Sequence, residues 1–175
     1  SPQAGPAQLE KLMQDPQKAN EALGGGQVEA GFRESYREFV SLPSAQREFR
    51  RLFLALGDRD QLPALFHCTT GKDRTGWAAA ALLTLLGVPQ DTVVEDYLRS
   101  NDYILPAYQK VIDAFVEGGG DPEIPRAILG VKEEYLEAAF NVMQTQYGTI
   151  EAYFSEGLGI DEARQGALRD LLLVQ

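Results

Sequence analysis

Residues 77–86 read Trp-Ala-Ala-Ala-Ala-Leu-Leu-Thr-Leu-Leu, and a folded chain can house such a segment only in its interior. The run is too short to span a bilayer, so it is expected as a buried core helix, ended by Gly87 and Pro89. Immediately before it comes a polar, glycine-containing stretch, residues 67–76. Before that lies a short apolar run, Leu62-Pro63-Ala64-Leu65-Phe66, which reads as a buried strand. A strand beside helices needs a sheet to receive its backbone donors and acceptors. No second strand pattern is evident: either further strands carry no clear pattern, or the chain lacks part of its sheet.

Elsewhere the pattern is helical. Phe32, Tyr36, Phe39 and Val40 share one face. After Pro43, Ser44 is the expected N-cap of a helix carrying Phe49, Leu52, Phe53 and Leu56. Thr92 and Glu95 have capping-box spacing. Tyr108, Val111, Ile112, Phe115 and Val116 form a stripe, and Gly118, Gly119 and Gly120 with Asp121-Pro122 form a loop. Leu136, Phe140, Met143 and Tyr147 mark a further helix, with two short helices expected over 149–156 and 161–173. Residues 1–30 are weakly patterned apart from a short helix around Gln8 to Met13. With the break at Gly24, Gly25 and Gly26, they read as loop or surface arm.

A chain of 175 residues suits one domain, here taken as residues 31–175 behind that arm. Its 26 acidic against 16 basic residues give a net charge of -10, which argues against nucleic acid or an anionic membrane as partner. No transmembrane segment and no signal peptide are read, and a monomer is the default expectation. One cysteine and one histidine are too few for a disulfide or a structural zinc site, so no metal and no cofactor are expected. A free Cys68 thiol is compatible with a cytoplasmic or a secreted protein.

The two residues stand together at the head of the polar stretch: His67-Cys68-Thr69-Thr70-Gly71-Lys72-Asp73-Arg74-Thr75-Gly76. A helix N-terminus presents unsatisfied N–H groups and the positive end of its dipole. A compact loop there can turn successive amides toward one phosphate, and Gly71 supplies the backbone freedom. The same field favours a thiolate, lowering a cysteine pKa from about 8.5 by several units. Cys68 is therefore the expected nucleophile. Arg74 is expected to fork two phosphate oxygens, Thr75 to hydrogen-bond the sulfur, and Lys72 to add a second cation facing an anionic substrate. Thr69, Thr70, Gly71, Lys72 and Asp73 would complete the phosphate-binding loop. His67 is expected behind the nucleophile, orienting the loop and tuning the thiolate. The reaction is attack of Cys68 on phosphorus, protonation of the leaving oxygen, and hydrolysis of a cysteinyl-phosphate by water.

These residues resemble the protein tyrosine phosphatase signature, His-Cys-x5-Arg-Ser/Thr, and the form Gly-Lys-Asp-Arg-Thr-Gly is similar to that of a bacterial branch of that family, acting on phosphotyrosine, other phosphoprotein residues and phosphoinositides. The likeness extends to residues 95–102, 129–136 and 147–150. The resemblance implies an α/β fold, a central sheet flanked by helices, of which this chain supplies a mostly helical C-terminal part without the N-terminal strands. It implies a phosphoprotein or phosphoinositide substrate, a partner in the protein's own N-terminal portion, and a helical lid at about 101–128. It also marks Asp73 as general acid or water-orienting group, beside the plainer reading of an exposed carboxylate that tunes the loop. Three alternatives stand beside it: a catalytically silent phospho-binding module, a fragment active only with its N-terminal portion, and a rhodanese-like sulfurtransferase.

Overall fold

Helical periodicity carries almost the whole chain into regular structure. The computed structural model describes residues 11 and 14–173. Eleven α-helices follow in order among them: α1 (Pro16–Leu23), α2 (Gln27–Ser41), α3 (Pro43–Leu56), α4 (Asp73–Leu85), α5 (Gln90–Leu98), α6 (Ser100–Ala107), α7 (Gln109–Glu117), α8 (Glu123–Leu129), α9 (Glu133–Tyr147), α10 (Ile150–Ala152) and α11 (Glu162–Leu172). A π-helical turn, Tyr153–Gly157, continues α10.

The apolar run after the loop becomes the centre of the molecule. In α4, Trp77, Ala78, Ala80, Ala81, Leu82 and Leu85 are all buried, as a helix with alanines and leucines around its circumference must be. Helices α2 and α9 pack along each other beside it. Trp77 meets Phe140 of α9 edge-on at 5.2 Å and Tyr153 at 5.8 Å. Tyr36, Val40, Phe53, Leu136 and Phe154 close the same core. A second, smaller cluster joins Ala19 of α1 and Val28 of α2 to Phe115, Ile124, Ala127 and Ile128.

Several expectations are corrected. The arm at 1–30 is helical from Pro16 onward: the Asp15 side chain accepts from the Lys18 amide, Pro16 opens the helix, and Ala19 and Val28 are buried. Gly24, Gly25 and Gly26 do break the chain, as the turn between α1 and α2. The helix expected around Gln8 to Met13 lies outside the described residues. Ser44 is inside α3, where Pro43 takes the first position and no side chain caps. Thr92 likewise falls within α5, which starts at Gln90. Gly118–Gly120 and the two C-terminal helices fall where periodicity put them, the latter opened by Thr149 and Asp161 caps.

The larger correction concerns the sheet. Among the described residues there is no strand. Leu62 is extended, but residues 63–68 have no regular structure, and no backbone hydrogen bond ties Ala64, Leu65 or Phe66 to other described residues. Leu65 is 92% exposed. An apolar run becomes a strand only when a neighbour supplies the ladder, and none is present here. No described helix is long and apolar enough to cross a membrane.

Candidate active site

The loop forms because its last residues are already helix. Lys72 is the cap of α4, Asp73 begins it, and no side chain occupies the cap position, which leaves the first amides free to face the loop. Gly71 turns the chain with φ +72°, a conformation open to glycine and costly for other residues. The loop is closed by its ends: the Cys68 amide donates to Thr75 Oγ1 at 3.0 Å. Arg74 folds back across it, donating from Nη2 to Thr69 Oγ1 at 3.0 Å.

Cys68 therefore sits inside a ring of donors. Partial burial pushes its thiol up, but the Thr75 hydroxyl and the amides of Thr75, Gly71 and Thr70 outweigh that and hold it down at about 7, against an ordinary 9.0. Thr75 thus bonds both the amide and the sulfur of Cys68.

A cavity of about 480 Å³ opens beside Cys68, Arg74 and Thr75. Its walls are largely apolar: Phe39 from α2, Leu42 between the helices, Ala45, Phe49 and Leu52 from α3, with Phe66. Glu38 and Glu48 are the carboxylates that border it. His67 is exposed and its Nδ1 contacts the Cys68 carbonyl at 3.0 Å, so it reaches the nucleophile's backbone; it is not among the groups that lower the thiol pKa most.

Lys72 is not where a substrate-facing cation belongs. Its side chain is buried, with Nζ 2.9 Å from Asp73 Oδ2, 3.1 Å from the Gly130 carbonyl, and 4.6 Å from the centroid of the Phe32 ring. Its long stem could not stay in solvent once its neighbours packed over it, and its three protons found acceptors inside. Asp73 is also not an open carboxylate: its Oδ1 accepts from Tyr36 at 3.0 Å as well as from Lys72.

Tyr36, Tyr97 and Gly130 went unnoticed as neighbours of this loop. The available signal was chemical: a tyrosine on an apolar helix stripe carries a hydroxyl that burial obliges to find a partner. The segment expected as a lid is helical, α6, α7 and most of α8. Phe115, Ile124, Ala127 and Ile128 are buried in the second cluster, and none of the segment's residues lines the cavity at Cys68.

The Cys68 thiol, a ring of amides and Arg74 thus share one turn ahead of a core helix. A profile described as the tyrosine phosphatase family matches residues 4–174, and the chain belongs to that family. It is 34% identical over 154 residues to the triple specificity protein phosphatase PtpB of Mycobacterium tuberculosis, covering 80% of this chain and 54% of that protein. It is 33% identical over 127 residues to a tyrosine-protein phosphatase of Nostoc commune, covering 69% of this chain and 42% of the relative. The chain thus spans about half the length of the relatives it matches.

Proposed function

We propose that the protein hydrolyses phosphate monoesters, phosphotyrosine on proteins first among them, through a cysteinyl-phosphate. The observation that carries this reading is the Cys68 thiol held at about 7 by the Thr75 hydroxyl and three loop amides, with Arg74 beside it. Cys68 attacks phosphorus in line and the P–O ester bond breaks. An acid protonates the departing oxygen, and water then attacks the phosphocysteine, returning the thiolate and inorganic phosphate. The loop amides of Thr69, Thr70, Gly71 and Arg74's guanidinium meet the charge on the equatorial oxygens. The apolar cavity suits an aromatic leaving group. Phosphoinositides are proposed as a second substrate class; the triple specificity in the name of the mycobacterial relative supports a range wider than one kind of phosphate ester. The contacts of Asp73 with Lys72 and Tyr36 favour its role in holding the loop over that of leaving-group acid.

One observation favours a dependence on further polypeptide. Leu65 is 92% exposed and the backbone before Cys68 is unpaired among the described residues. We read residues 63–66 as one strand of a central sheet whose neighbours come from the protein's N-terminal portion, which would steady Cys68 from behind. Metal-independent hydrolysis of para-nitrophenyl phosphate in EDTA, blocked by vanadate and lost in Cys68→Ser, tests the first reading. Activity that rises sharply when the N-terminal portion is added supports the second, and unchanged activity removes it.

A further inference from the structure

Behind the phosphate loop lies a buried polar chain that the proposed reaction does not use. The Tyr36 hydroxyl is 3.0 Å from Asp73 Oδ1 and 2.7 Å from the Tyr97 hydroxyl. A hydroxyl has a single proton, and Asp73 beside an ammonium has only acceptors to offer. Tyr36 must therefore donate to Asp73, and Tyr97 must donate to Tyr36. Burial holds both phenols far above their ordinary range, so both remain protonated donors. The chain has one direction, and it ends on the first residue of α4.

Its other arm is Lys72, which joins Asp73 to the Gly130 carbonyl. Gly130 is held in turn through its neighbour: Asn101 donates to the Val131 carbonyl at 2.9 Å and accepts from the Val131 amide at 2.8 Å. Packing supports the arrangement from a third side. A Cβ on Gly76 would lie 2.9 Å from the Tyr97 ring, so that ring reaches the first turn of α4 only because residue 76 has no side chain. Helix α2 and the turn after α8 thus converge on two consecutive residues of the loop, and α5 backs them through Tyr36 and Gly76.

We propose that Tyr36, Tyr97 and Lys72 are positioning residues: together they hold Asp73, and with it the start of α4, in the orientation that aims the loop amides at Cys68. The proposal rests on the phosphatase reading for its kinetic consequence, but its structural consequence can be read without turnover. Cys68 is the chain's one cysteine, so the pH profile of its alkylation by iodoacetamide reports the cradle directly. The ionisable groups around that thiol are His67 and Arg74 in the loop, Glu38 on α2, Glu48 on α3, and the Lys72–Asp73 pair behind.

The decisive variant is Tyr36→Phe, which keeps the ring and deletes the donor. Its alkylation midpoint is expected to rise from about 7 toward 9.0, and its kcat on para-nitrophenyl phosphate to fall about tenfold. Tyr97→Phe leaves Tyr36 free to donate and should move both readouts in the same direction by less. Tyr147→Phe loses a comparable contact, from Gln46 at 2.9 Å, that involves no residue of the loop, and should lower Tm while leaving the alkylation profile unmoved. A folded Tyr36→Phe with the wild-type midpoint overturns the proposal, and so does a shift of equal size in Tyr147→Phe, because both describe a purely structural role. Should Tyr36→Phe fail to fold, Asn101→Ala reaches Lys72 from the opposite end; a raised midpoint supports the proposal and an unmoved one overturns it. A wild type that alkylates with a midpoint near 7 yet turns over no phosphate ester even with its N-terminal portion supplied would defeat the phosphatase reading while leaving the positioning claim to the alkylation series.

Discussion

The amide of Cys68 and the hydroxyl of Thr75 meet at 3.0 Å, joining the end of an unpaired segment to the first turn of the central helix. The contact makes the loop a closed ring, and the same hydroxyl is the foremost of the donors that lower the Cys68 thiol. Thr75→Ala deletes both effects. The alkylation midpoint of Cys68 should rise, and kcat should fall by about tenfold or more. Unchanged values would mean the amides alone organise the site.

Cys68→Ser removes the nucleophile while preserving the size of the side chain. Hydrolysis of para-nitrophenyl phosphate is expected to vanish, with substrate binding retained and the circular dichroism spectrum unaltered. Substantial residual turnover would exclude a cysteinyl-phosphate.

Arg74→Ala takes away the fork that the proposed reaction places over the transferring phosphoryl group. Because that charge is most concentrated in the transition state, kcat should drop by about 10²–10³ with a much smaller change in KM. Steady-state kinetics at several substrate concentrations separate the two parameters.

The thiol at about 7 also sets a pH dependence. Below that value Cys68 is protonated, so kcat/KM should rise with pH up to about 7 and then level on this limb. For stability, the folded value lies below the ordinary 9.0. Ionised Cys68 therefore adds stability that is fully present above the unfolded value and is lost as pH falls through the folded one. The Tm difference between wild type and Cys68→Ser, followed across that window, should shift in favour of wild type as pH increases.

Gly76→Ala puts a methyl group 2.9 Å from a buried tyrosine ring. Tyr97 is 4% exposed and has no open space to yield into, so overpacking should cost about 1–3 kcal/mol in a denaturant titration. A stability equal to wild type would show that the α4–α5 contact is looser than described.

What the amino-acid order determined by itself was much of what depends on near neighbours. The spacing from Cys68 to Arg74 and the turn at Gly71 lie within one short stretch, so a thiol and an arginine on one glycine-turned loop were legible before any packing was known, whereas the helix start at Asp73, inside the stretch expected as loop, was not. The apolar composition of residues 77–86 likewise sufficed to bury α4, since no surface position tolerates such a run. Tertiary structure decided what depends on distant partners. Lys72 turned inward because its neighbour Asp73 and, from two distant parts of the chain, Gly130 and Phe32 converge to receive its charge. Tyr36 turned from a core ring into a hydrogen-bond donor because α4 brought the Asp73 carboxylate beside it, and into an acceptor because α5 brought Tyr97. Residues 16–30 became helix because α1 and α2 have the second cluster to bury against. The apolar run 62–66 stayed irregular for the complementary reason: a strand exists only in its pairing, and pairing is never a local property.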